Sequence, residues 1–379
     1  ERALDAGLID SVSHLDEFLD GIREEYGDIY FDNHYLSDTT KREGAFGSLA
    51  RGKSRDTVAL VYAEGAIMRG HEQVSPFGMA GGIVYSGDML NTLKQVRENP
   101  DVAALVLRID SPGGSAVASE EILRGVELVR AEGIPVVVSM GSTAASGGYY
   151  IACTADAIIA DAATITASIG VVGGKVATEE LWSELGINWH TWKRGENAEL
   201  LNMIHPFTPE QRASIQTYMT ETYDAFKAHV EDGRGDKLSK PLEEMAGGRV
   251  YTGEQALELG LVDELGGLRE AIERAAEFAE LEASEYSVKV LPEYMGFWEA
   301  FFAAMSGQEP RSTDISVSNV KRMPEMPLPN SGQPADPRMA ALTQLAPAEM
   351  QALSRALAIA QMLGDERVLA VMPEVLVAR

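Results

Sequence analysis

The 379 residues include 58 acidic and 32 basic side chains, and the resulting formal charge of −26 excludes a phosphate-backbone binder or a partner of anionic membrane surfaces. The single cysteine, Cys153, excludes an internal disulfide; the six histidines lack ligand spacing, so no metal and no cofactor are expected. No stretch reaches the roughly eighteen apolar residues of a helical membrane span, and the length allows two or three domains.

Residues 1–12, Glu-Arg-Ala-Leu-Asp-Ala-Gly-Leu-Ile-Asp-Ser-Val, are echoed at 254–265, Glu-Gln-Ala-Leu-Glu-Leu-Gly-Leu-Val-Asp-Glu-Leu. A helix-like segment follows each copy, His14–Glu25 and Gly267–Leu281. Residues 1–40 therefore read as the end of a preceding repeat whose full copy closes near 268. A polar, Gly/Ser/Lys/Arg-rich linker covers 41–56, and the first strand is expected at Val58–Tyr62.

Val102–Ile109 and Pro135–Met140 are almost unbroken apolar runs, as suits strands buried on both faces of a largely parallel sheet. Between them Val117, Ile122, Leu123, Val126 and Val129 recur at helical spacing, which predicts an amphipathic crossover helix over Ser115–Ala131 with Glu120 and Glu121 on its solvent side. Each strand ends in a polar cluster: Asp-Ser-Pro-Gly-Gly-Ser at 110–115 and Ala-Ala-Ser-Gly-Gly-Tyr-Tyr at 144–150. Thr-Ala-Ser-Ile-Gly follows at 166–170. Strand ends are where α/β folds build reaction sites.

Ser146, expected on an exposed turn before a helix start, is the candidate nucleophile. Bare amides at Gly113, Gly114 and Gly147 could hold an oxyanion formed on the attacked carbonyl. Such a serine needs a neighbouring base to take its proton. Cys153, seven residues on, is expected to pack on the same helix.

These three blocks resemble the signature motifs of signal peptide peptidase A, a bacterial Ser-Lys protease family, over about residues 57–286. The resemblance implies an α/β fold of the Clp protease/crotonase type, with stacked ββα units around a largely parallel sheet. By position Ser146 matches the nucleophile, Ser168 the hydroxyl that orients the base, and Gly113–Gly114 the oxyanion turn. Single-domain members carry the base lysine in the stretch that here reads His190-Thr191-Trp192-Lys193-Arg194-Gly195-Glu196-Asn197-Ala198. Aligned on Ala198, that position is Glu196. Lys193 lies at an odd offset, which in an extended segment points to the opposite face. The two-domain form places the lysine on its first repeat and the serine on its second, and this chain resembles the second with a stub of the first.

The resemblance further implies apolar peptide substrates, a homo-oligomer (a tetramer), and attachment through the missing N-terminal part to the inner membrane of a bacterium, with the catalytic part on the outer or periplasmic side. Two other classes stay open: a crotonase-type acyl-CoA enzyme with Glu120 and Glu121 as acid and base, and a non-catalytic scaffold half. Beyond the peptidase domain, 287–379 read as a C-terminal extension. Trp298, Phe301 and Phe302 there fit core or an assembly rim, 306–338 form a proline-rich connector, and Met350 to Leu363 fit a helix ended by Gly364.

Overall fold

The computed structural model describes residues 2–26, 56–71, 82–195, 197–282, 286–292 and 368–371. The expected C-terminal helix, the connector, the aromatic patch, most of the linker and Glu196 lie outside them. The chain divides into two units, 1–52 and 53–379.

The described part of the first unit is Arg2–Asp5 (α1) and Leu15–Tyr26 (α2). The second unit opens with Thr57–Glu64 (β1), Ala66–Met68 (β2), Ile83–Tyr85 (β3) and Ser86–Glu98 (α3). Val102–Ser111 (β4), Gly113–Ser115 (β5), Ala116–Ala131 (α4), Val136–Ala145 (β6) and Gly147–Tyr150 (α5) follow. Then come Ala157–Ala160 (β7), Ile165–Ala167 (β8), Val172–Gly173 (β9), Glu179–Glu184 (α6), Pro209–Arg234 (α7) and Leu242–Met245 (α8). Val250–Thr252 (β10), Gly253–Leu259 (α9), Glu264–Leu265 (β11), Leu268–Phe278 (α10), Ser287–Leu291 (β12) and Val368–Val371 (β13) complete it.

The main sheet runs β10-β8-β6-β4-β1-β12, with β7 beside β6 and β11 beside β7. All of its pairings are parallel except β10 with β8, so the fold is α/β. Along β4 the buried residues alternate between two cores. Leu105, Leu107 and Ile109 join the core that includes α4 residues such as Ile122 and Val126, whereas Ala104 and Val106 pack with Ala271 and Ala275 of α10. Burial on both faces is why these strands read as continuous apolar runs.

The sheet's edge strand β12 covers Ser287–Leu291. A second, smaller sheet runs β3-β2-β5-β13-β9. At its centre Gly114 approaches β2 so closely that a Cβ would stand 2.0 Å from the Ile67 carbonyl oxygen.

The sequence echo is also a structural one. Leu8 N donates to Ala3 O (2.8 Å) and Gly7 N to Leu4 O (2.9 Å), matched by Leu261 N to Ala256 O (2.8 Å) and Gly260 N to Leu257 O (3.1 Å). Both glycines are left-handed, at φ 65° and 77°, the helix stop that glycine takes without strain. In the helices that follow, Glu17 accepts from His14 N (3.1 Å) as Glu270 does from Gly267 N (2.8 Å). The solvent exposure differs. Leu8 is 78% and Ile9 42% exposed, where Leu261 and Val262 are 0% and 2%.

Beneath the end of α5, Arg234 is buried and donates through Nη1 to Asp263 Oδ2 at 2.7 Å and through Nη2 to Gly260 O at 2.8 Å. Lys237 Nζ and the Ile158 amide also donate to Asp263, at 2.7 and 2.8 Å, and Tyr149 of α5 donates its hydroxyl to Leu261 O at 2.8 Å.

Candidate active site

Ser146 is the single residue between β6 and α5, with φ 52° and ψ −114°. That region is costly for a side chain, and the surroundings hold the residue in it. Its amide donates to Ala167 O at 2.7 Å and its Oγ to Gly170 O at 3.3 Å. The 167–170 segment therefore lies directly on Ser146. For that reason the serine is fully buried rather than on the exposed turn expected from sequence.

Replacing Ser146 by glycine should relieve the strain, raising stability by about 1–3 kcal/mol, while alanine should not. Comparing the two variants in urea denaturation checks this, and equal stabilities would refute it.

The segment carrying Ser168 is itself bent, with positive φ at Ala167 (64°) and Ser168 (51°). Ser168 N donates to Arg249 O and Gly248 N to Ile169 O, both at 2.8 Å, so the bend is clamped from its far side. The Ser168 Oγ is buried and, among the described residues, has no hydrogen-bond partner. A buried hydroxyl without a partner is costly. Ser168 also lines an apolar cavity of about 350 Å³ with Gly170, Val172, Met219, Tyr223 and Gly248.

Gly147 opens α5, where the first helical amides lack intrahelical acceptors. Across from it, Gly113 takes φ 100°, a conformation open to glycine. Its amide is not bare as expected: it donates to Ser111 Oγ at 3.1 Å. Ser115 caps the helix after this turn, accepting from Ala118 N at 3.2 Å.

Sequence reasoning missed the part of Asp110. Its carboxylate accepts from Ser142 Oγ (2.8 Å) and Thr143 N (3.1 Å), tying the end of β4 to the stretch of β6 that leads into Ser146. The signal was there, in an acidic residue opening the Pro-Gly-Gly turn.

Glu120 and Glu121 are not free solvent-face residues. Glu120 Oε2 accepts from Tyr150 OH at 2.5 Å and lies 3.0 Å from His229 Nε2, and Glu121 lies 3.6 Å from Arg69 Nε. Cys153 falls in the turns after α5 rather than on it. Its buried Sγ donates to Tyr150 O at 3.2 Å, and burial pushes its thiol pKa up, which keeps it inert.

Among the described residues no lysine donates to Ser146 or Ser168. Lys193 pairs with Glu199. Lys175, whose pKa is lowered by burial against the opposing charge of Glu199, donates to Leu200 O at 3.3 Å.

Strand β13 lies antiparallel between β5 and β9. Leu369 pairs with both Ser115 and Val172, Ala370 with Gly114, Val371 with Gly113 and Val368 with Gly173. It also passes alongside α5. The extended segment thus runs past the glycine turn, next to the helix that follows Ser146.

A serine at a strained strand-to-helix turn thus stands beside a helix start and a second hydroxyl at the ends of parallel strands. Residues 129–282 match peptidase family S49. A relative from Synechocystis sp. is 33% identical over 67% of this chain and 91% of its own length. The "Serine protease SPPA, chloroplastic" of Arabidopsis thaliana is 35% identical over 74% of this chain and 41% of its own. "Protease 4" of Salmonella typhi is 34% identical over 74% and 43%. The chain belongs to peptidase family S49. It spans about two fifths of the length of the Arabidopsis and Salmonella relatives.

Proposed function

We propose that this chain is the serine-bearing part of a peptidase that cleaves extended apolar peptides, such as released signal peptides. Ser146 is the nucleophile, the amides of Gly147 and Gly114 stabilise the oxyanion, and Ser168 orients a lysine base carried by a preceding repeat. The observation that carries the reading is the buried, unpartnered Ser168 Oγ one bend away from Ser146. An ammonium entering the adjoining cavity would supply the missing donor, and the apolar lining would lower its pKa towards that of a base.

The exposed Leu8 and Ile9, whose counterparts Leu261 and Val262 are buried, support the preceding repeat, since they need the same cover. Strand β13 supports the peptide as ligand: the space between β5 and β9 takes an extended backbone in antiparallel pairing. A crotonase-type reading loses support because Glu120 is engaged by Tyr150 and His229 and Glu121 is paired with Arg69. Oligomerisation and attachment to a bacterial inner membrane rest on the family resemblance. Among the described residues no helix is long and apolar enough to cross a membrane.

A fluorophosphonate probe followed by peptide mapping tests the reading. With the preceding repeat present to supply the base, the expected result is a single adduct on Ser146, slowed by an added apolar peptide. Labelling that persists in Ser146→Ala, or an adduct on Ser168, would overturn it.

A further inference from the structure

We infer that Glu120 is a positioning residue that fixes the separation of the two halves of the oxyanion site. The inference rests on the reading of Ser146 as nucleophile with amides donated from both turns. Gly113–Ser115 runs into α4 with no intervening residue, and Ser146 runs into α5 in the same way. Each half therefore rides on its own helix. A small rotation of α4 against α5 would shift the glycine amides relative to the serine, and misplacements of about 1 Å are enough to cost roughly a hundredfold in rate.

A side-chain bridge opposes that rotation. Tyr150, the last residue of α5, donates its hydroxyl to Glu120 Oε2 on α4 at 2.5 Å. His229 of α7 reaches the same oxygen at 3.0 Å. The Tyr150 ring is buried, and its centroid lies 4.4 Å from that of Phe226, so packing holds the donor in place. Burial and then the charge of Glu120 raise the Tyr150 pKa and keep the hydroxyl protonated. The hydrogen bond to Glu120 raises that of His229 and favours the imidazolium. A carboxylate bridging a neutral hydroxyl and an imidazole makes charge-assisted bonds, stronger than neutral ones. Glu120 touches neither the serine nor the glycines; it acts on them through the two helices.

Hydrogen exchange read by mass spectrometry on the full chain tests the bridge without requiring turnover. Tyr150→Phe and Glu120→Ala should each speed exchange in both 113–118 and 146–150, by roughly tenfold. The double variant should not exceed Glu120→Ala, which already removes the Tyr150 bond. Glu120→Gln, which keeps an acceptor for Tyr150, should recover most of the protection. Where peptide is hydrolysed, kcat should fall roughly ten- to a hundredfold in the first two variants with KM nearly unchanged. Faster exchange confined to the substituted segment, additive effects in the double variant, or a glutamine no better than alanine would overturn the assignment. Coupled exchange in a protein that, with the preceding repeat supplied, still never labels or cleaves refutes the peptidase reading and supports the bridge.

Discussion

Ser146→Ala is expected to lower peptide hydrolysis by about 10⁴-fold or more once the base lysine is present, since losing a nucleophile removes the covalent route altogether. Stability should barely change, because alanine keeps the same backbone strain and the only side-chain bond lost is the 3.3 Å one to Gly170 O. Without the base, the 379-residue chain should hydrolyse peptides poorly although Ser146 and the glycine turns are in place. Supplying the preceding repeat should restore the rate, and Lys193→Met should then be neutral because Lys193 is committed to Glu199. Steady-state rates with an apolar peptide decide the matter. Full activity of the chain alone, lost on Lys193→Met, would show that Lys193 is the base.

The largest stability effect is expected at Asp263. Burial alone would raise its pKa. Hydrogen bonds from Arg234 and Lys237, the charge of Arg234 and the Ile158 amide together hold it below the ordinary carboxylate value. Asp263→Asn would leave Arg234, fully buried, without a counter-charge, and removing one partner of a buried pair costs about 3–5 kcal/mol. Because the folded pKa is depressed, the carboxylate's contribution is present above the unfolded pKa near 4 and disappears as pH falls below it. Urea midpoints at pH 7 and pH 3 should therefore differ more for the parent than for Asp263→Asn. Equal pH dependence in the two proteins would refute the pairing argument.

Much of this architecture is legible in the sequence because its signals are local. Val102–Ile109 announces a strand buried on both faces, the 3.6-residue recurrence after Ser115 announces α4, and Pro-Gly-Gly announces the turn between them. What stays hidden depends on distant partners. Nothing around Ser146 reveals that 167–170 folds onto it, which is why burial replaces the expected exposure. Ser111 precedes Gly113 by two residues, yet whether its hydroxyl takes that amide depends on the turn's φ. Glu120 sits at a solvent-side position of its helix, and only the fold brings Tyr150 and His229 to it. Arg234 and Asp263 meet across a helix end that periodicity cannot register. Val368–Val371 is a four-residue apolar run, too short to predict as a strand without the two edges that pair with it.

Because β13 belongs to the same chain as the edges it joins, a peptide binding as proposed would meet an occupant tethered beside it. A tethered segment competes at an effective concentration set by its linker rather than by its amount in solution. An affinity measured for an added peptide is then the groove's own affinity divided by that competition, and a weak apparent value is compatible with a groove that grips an extended backbone well.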